Sequence, residues 1–158
     1  MRGTVFDELA FFRAIQERGA RALLIGRRAL VLLGLPVLTA DYDFWIAIDD
    51  IAAFNAAGAS SELVPTHDAD AARRRGRYAL ENDEHVDVLV ARTVPTSDGT
   101  PVPFEAVWAR RQPITLAAGL EVQLPMIDDL ILTKRFASRP RDLEDIRLLT
   151  LLKAEGQR

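Results

Sequence analysis

Between residues 5 and 18 apolar side chains recur about one helical turn apart, at Phe6, Leu9, Phe12 and Ile15. That spacing predicts an amphipathic helix with one face turned inward, and Gly19 is a plausible stop. Residues 22–25 form a short apolar run ending at Gly26, which reads as a buried strand feeding a tight turn. A short helix over 27–33 follows and ends at Gly34. The segment 41–48, DYDFWIAI, is rich in aromatic and branched residues and reads as a strand with two acids at its leading end. Asp50 is placed to cap a helix over 51–57.

Beyond a mixed connection at 58–70, residues 76–80 read as an edge strand and 85–91, HVDVLVA, as a strong strand. A loop or hairpin turn around Asp98 and Gly99 spans 95–103. Two short strands are expected at 114–116 and 121–124. Helices are expected at 125–137 and 140–154, each opened by a proline near its first helical position. This order predicts an α+β (mixed α/β) fold, a small sheet covered by helices. A length of 158 residues suits one domain, 1–158, with its C-terminal helices in 126–158.

Composition narrows the function classes. Apolar residues make up 49% and charged residues 27%, an ordinary globular balance. The net charge of -3 gives no overall basic field for nucleic acid, although the 20 Lys and Arg are unevenly spread and leave room for a local patch. With no cysteine there are no disulfides, thiolate zinc sites or cysteine nucleophiles. The N-terminal stretch contains acids and lacks the apolar core of a signal peptide. The longest apolar run, ALVLLGLPVL, is broken by Gly34 and Pro36, short of the roughly 18 residues that cross a bilayer. A soluble, cytoplasmic protein is expected, with no membrane partner.

Three acids carry the candidate chemistry. On a strand, residues i and i+2 share a face, so Asp41 and Asp43 would sit side by side with Tyr42 and Phe44 opposite. Two such anions repel, and a hard divalent cation relieves the repulsion; oxygen ligands suit Mg²⁺. Asp87 interrupts an otherwise apolar strand, where a lone acid is expensive to bury. If the two strands are neighbours, Asp87 completes a cluster able to hold Mg²⁺, orient a triphosphate and activate a hydroxyl. Taken singly, each acid has a plainer role as a turn, a cap or a solvent-facing side chain.

Other residues add context. Gly26 with Arg27 and Arg28 opens a short helix whose N–H groups suit phosphate, though surface arginines are ordinarily just solvated. Thr39 can donate to a phosphate or satisfy a turn. Lys134 shares an inward stripe with Ile127, Leu130 and Ile131, so it either projects into an acidic cleft or snorkels along the core edge. Asp142 and Asp145 read as structural, His67 and His85 suggest no local metal motif, and Trp45 reads as core.

With these residues the chain resembles the nucleotidyltransferase-fold family that includes minimal nucleotidyltransferases and AbiEii-type toxins. The resemblance lies in LLIGRRALVLLGLPVLTADYDFWI, HVDVLV and DDLILTKRFASRPRDLEDIRLL, in that order, and covers nearly the whole chain. It implies that Asp41, Asp43 and Asp87 bind metal and nucleotide phosphates, with Asp87 helping to deprotonate the acceptor. It also implies that Gly26 lies under the triphosphate and that Lys134 reaches its phosphates. The implied reaction moves a nucleoside monophosphate from an NTP to a hydroxyl of RNA, protein or a small molecule. A toxin restrained by an antitoxin is one version, and a weakened nucleotide- or partner-binding module is the alternative. Two positions depart from the family: Arg27 stands where a second small residue is usual, and Val37 where an arginine often precedes the Thr-x-Asp-x-Asp run.

Overall fold

The computed structural model describes the backbone of residues 6–95, 99–137 and 140–156, and the side chains of these residues other than 134–137. Helix α1 (Glu8–Glu17) starts at Asp7, whose carboxylate accepts from the Ala10 N–H at 3.0 Å, a side-chain N-cap. Its inward face is Phe11, Phe12 and Ile15, while Leu9 is 44% exposed. The helix is therefore rotated from the predicted stripe, because burying two adjacent phenylalanines removes more apolar surface than burying one leucine.

Strand β1 (Ala22–Ile25) leads into α2 (Gly26–Leu32), and β2 (Tyr42–Ile46) into a 3-10 turn at Ile48–Asp50 and α3 (Ile51–Ala59). Asp50 stands at the N-cap position of α3, as expected, but its side chain makes no capping bond; its carboxylate instead accepts from the backbone N–H and Nε of Arg21, tying the entry of β1 to this turn. Within the expected mixed connection, β3 (Val64–Pro65) and α4 (Ala69–Arg75) form, and β4 (Arg77–Glu81) and β5 (His85–Leu89) follow. The sheet order is β1-β2-β5-β4-β3, with β2 and β5 parallel and the other pairs antiparallel. The strand expected at the edge, β4, is thus one place in, and the two-residue β3 covers it. Parallel β2 and β5 require a crossover, and α3 lies on it.

The rest of the chain builds outward. Strands β6 (Thr93–Pro95) and β7 (Pro101–Pro103) make a small hairpin followed by α5 (Phe104–Ala109), a helix absent from the sequence expectation. A second hairpin, β8 (Gln112–Ala117) with β9 (Leu120–Leu124), precedes α6 (Ile127–Ala137) and α7 (Pro140–Gly156). This is an α+β architecture, as expected. Among the described residues no helix is long and apolar enough to cross a membrane.

Strand alternation decides where the core sits. Tyr42, Phe44 and Ile46 on β2, Val86 and Val88 on β5, and Tyr78 and Leu80 on β4 face the helices. Phe44 meets Phe11 edge-on at 5.9 Å and Phe54 of α3 at 5.2 Å, contacts worth about 1 kcal/mol each beyond burial. Leu130, Ile131 and Leu149 extend this core into α6 and α7. On the opposite face Leu23 and Trp45 are covered by Val94, Val102, Phe104 and Val107 of the first hairpin and α5. The Trp45 indole N–H donates to the Ala91 carbonyl at 2.8 Å, which makes it core, as expected.

A buried carboxylate anchors α6. Arg110 grips Asp129 with Nε and Nη2 at 2.6 and 2.7 Å, and Asp129 is almost fully buried. Replacing Arg110 by Ala strands that carboxylate, and urea unfolding is expected to show a loss of roughly 2 kcal/mol. An unchanged midpoint would mean that Asp129 finds another partner.

Candidate active site

The sheet face turned away from the main core is polar at one end. Asp43 of β2 is the register partner of Asp87 of β5, and Asp87 of Ala79 on β4. Paired residues of neighbouring strands point to the same face, so the two carboxylates lie side by side. Asp43 is half-buried, and the Asp87 side chain is 55% exposed. Asp41 lies one residue before β2, exposed, with its N–H donating to Thr39 Oγ1 at 3.1 Å. Thr39 therefore satisfies a turn at the entry to the strand.

Gly26 explains why the first motif needs a glycine. Its φ of +69° lies in the left-handed region, and a Cβ there would stand 2.5 Å from Asp43 Oδ2. Both the backbone conformation and the close approach exclude a side chain. The chain thus presents bare backbone against the Asp43 carboxylate.

The two arginines after Gly26 are occupied elsewhere. Arg27 donates from Nε and Nη2 to Asp145 of α7 at 3.2 and 3.0 Å, and from Nη1 to the Leu38 carbonyl at 3.4 Å. Asp145 is fully buried, so Arg27 fastens α2 to α7 and to the 33–41 loop. The structural reading of Asp145 holds, and the side chain at position 27 does not line the cleft over Asp43 and Asp87. Arg28 stacks over the Tyr42 ring at 4.3 Å, with Nη2 at 3.4 Å from the Thr39 carbonyl. Its Nη1 is 3.7 Å from Glu8, and its Nε is buried without a partner among the described residues. Val37 packs against the main core. Lys134 falls on α6, where Leu130 and Ile131 of the same stripe are buried; its side chain lies outside the described residues.

A partner for Asp87 escaped the sequence reading. The His85 ring lies between two carboxylates, with Nε2 at 2.8 Å from Asp87 Oδ1 and Nδ1 at 2.8 Å from Glu81 Oε2. The signal was available in His-Val-Asp, since i and i+2 on a strand share a face. The hydrogen bond to Asp87 is the largest cause that raises the His85 pKa above its ordinary value of 6.5; burial opposes it, and the charge of Asp87 and the hydrogen bond and charge of Glu81 add to the rise.

An open cleft of about 420 Å³ runs across this face. Its lining includes Ile25, Asp43 and Asp87 together with Thr66, His67, Arg75 and Arg77. A smaller cleft of about 190 Å³ lies elsewhere, among Phe12, Ile15, Trp108 and Val122, with no converging carboxylates. Among the described residues no three His, Asp or Glu side chains make a ready-built metal cage.

At the level of sequence, neither a protein-family model nor a curated protein matches the chain. Solved structures do. The antibiotic-resistance factor ANT(2'')-Ia is similar over 94% of this chain and 88% of its own in solution, with TM-score 0.62 and 16% identity. Its crystal structure in complex with adenylyl-2''-tobramycin is similar over 93% and 88%, with TM-score 0.63 and 20% identity. The chain has the nucleotidyltransferase fold. A candidate nucleotidyltransferase from Thermotoga maritima also matches, over 94% of this chain and 89% of its own, with TM-score 0.54 and 12% identity. At these identities the nucleotidyltransferase fold is what the likeness establishes, and the chemistry must be argued from the chain's own residues.

Two measurements test this geometry. Gly26→Ala is expected to lower stability by about 1–2 kcal/mol from the left-handed backbone alone, with further disturbance of Asp43. Thermal or urea unfolding reads the first, and an unchanged stability would contradict a left-handed backbone at position 26. His85 should titrate above 6.5 by NMR, and Asp87→Asn should bring it down. Because the folded pKa is raised, the His85 contacts stabilise below the unfolded pKa and that contribution fades as pH rises through the folded one.

Proposed function

We propose that the chain is a Mg²⁺-dependent nucleotidyltransferase that moves a nucleoside monophosphate from an NTP to an acceptor hydroxyl. The observation that carries the reading is the in-register pair Asp43 and Asp87 on an open cleft, with Gly26 packed bare against Asp43. Mg²⁺ is usually held by one or two carboxylates together with substrate phosphates, not by an all-protein cage. Two hard carboxylates on adjacent strands, with Asp41 just ahead in the chain, fit that donor set. Asp41, Asp43 and Asp87 are the residues that would hold the ion, which when bound orients the phosphates and offsets their charge.

In the proposed reaction the acceptor oxygen attacks the α-phosphorus of the NTP. The bond from that phosphorus to the bridging oxygen breaks, pyrophosphate leaves, and the hydroxyl proton passes to Asp87. His85 engages Asp87 Oδ1, which leaves Oδ2 for the proton. Gly26 is where the triphosphate passes closest to the backbone, Thr39 shapes the strand entry beside it, and Lys134 on α6 supplies a cation to the phosphates. Arg27 and Arg28, phosphate ligands on the sequence reading, hold the framework instead.

The acceptor class runs over RNA, protein and small-molecule hydroxyls, ANT(2'')-Ia with adenylyl-2''-tobramycin being an example of the last. The resemblance to AbiEii-type toxins extends the proposal to a cytoplasmic toxin restrained by an antitoxin protein.

The test supplies labelled NTPs and Mg²⁺ with total RNA, lysate protein or aminoglycosides as acceptors. Asp43→Asn and Asp87→Asn are expected to cut label transfer by about 10²–10⁴ while leaving the circular dichroism spectrum unchanged. Equal transfer by wild type and both variants would remove the assignment.

A further inference from the structure

Arg75 and Arg77 are the feature of the cleft that the proposed chemistry leaves unused. Both are exposed and both line the cleft that holds Asp43 and Asp87, Arg77 on β4 beside the strand that carries Asp87. Their neighbour Arg73 is paired with Asp70 at 3.1 Å, but among the described residues Arg75 and Arg77 have no ion pair or side-chain hydrogen bond. The wall is firmly placed. Gly76 ends α4 with φ +78°, its N–H donating to Ala72 and its carbonyl accepting from Val90 at 2.8 Å. Thr66 and Ala79 exchange bonds, Thr66 N–H to the Ala79 carbonyl at 2.9 Å and Ala79 N–H to Thr66 Oγ1 at 3.0 Å. His67 sits beside them, its Nδ1 at 2.9 Å from Thr66 Oγ1.

Sheet order separates two sides of the site. Gly26 follows β1, next to Asp43, whereas Arg77 belongs to β4, beyond Asp87 on β5. A triphosphate passing Gly26 lies on the β1 side of Asp87. The acceptor must then approach Asp87 from the β4 side, where it meets Arg75, Arg77 and His67. Guanidinium groups repel a cationic acceptor and form charge-assisted pairs with phosphates. We infer that the acceptor is the hydroxyl end of a polynucleotide strand, with Arg75 and Arg77 gripping its last phosphates. The local patch is compatible with the net charge of -3, because the two arginines act at contact distance inside one cleft. This inference rests on the nucleotidyltransferase reading for the direction of approach, while the basic wall can be tested without turnover.

The experiment measures anisotropy of short 5′-labelled single-stranded RNA and DNA oligomers in Mg²⁺ with a non-hydrolysable NTP analogue, over a range of salt. Wild type is compared with Arg75→Glu/Arg77→Glu and with Arg73→Glu, a single charge reversal outside the cleft. The milder Arg75→Gln/Arg77→Gln pair guards against misfolding of the reversed one. The double variants are expected to bind the strand about ten-fold or more weakly, with the salt slope smaller by about 1.4, as for two lost single-strand phosphate contacts. Arg73→Glu should bind within a few-fold of wild type, and calorimetry should show analogue binding unchanged in all. Preference for RNA or for DNA identifies the strand.

No strand binding by wild type, or equal binding by the double variants, overturns the inference. So does loss of the analogue rather than the strand, which would give the arginines to the nucleotide. Strand binding through the two arginines with no analogue binding keeps the strand contact but removes the nucleotidyl-transfer reading, and with it the strand's role as acceptor.

Discussion

The pairing of Asp43 with Asp87 across β2 and β5 is the constraint around which the molecule is arranged. Two like charges opposite each other on a sheet destabilise it by up to about 1 kcal/mol. The remaining sheet opposes that cost on its other face. Phe44 and Val88, the next register pair, are buried against α1 and α3, so the strands cannot slip to separate the acids without moving the core rows as well. Register and charge are thus fixed by one alternation. The apolar side of each strand places the polar side.

The surroundings of the pair divide by solvent access. Near Asp43 the backbone itself closes in, with Gly26 leaving no room for a side chain. Near Asp87 the sheet is open, and His85 with Glu81 forms a chain of charge along its surface. A carboxylate held at one oxygen by an imidazole keeps a defined orientation while staying wet. A like pair sealed in the core would instead be driven to share a proton.

Much of this is legible along the chain, and the exceptions have physical causes. Strand β1 and the strands bearing Asp43 and Asp87 follow from apolar runs and a period of two, and their neighbouring placement follows from the fold that the motif order implies. Arg27 and Arg28 read as phosphate ligands because charge beside a glycine turn suits phosphate. Their actual partners, Asp145 and the Tyr42 ring, lie at separations of 118 and 14 residues, and no local pattern encodes either contact. Helix α5 is invisible in the sequence because Phe104–Ala109 is six residues long and depends on packing against Trp45 for its stability. Leu9 and Phe11 exchange roles because helical periodicity fixes spacing but leaves the rotation to tertiary packing.

Arginine supplies the clearest contrast in the molecule. Arg27 meets a fully buried carboxylate, Arg110 a nearly buried one and Arg21 two acids at once, so each has its charge spent inside the fold. Arg75 and Arg77 are held on a rigid wall without any such opponent among the described residues. Other arginines, Arg13, Arg18, Arg74 and Arg92 among them, also lack an ion pair among the described residues, so what sets Arg75 and Arg77 apart is that they share a cleft with Asp43 and Asp87. In the proposed reaction that position would suit an anion arriving from outside, which the neighbouring acids would repel if it came closer.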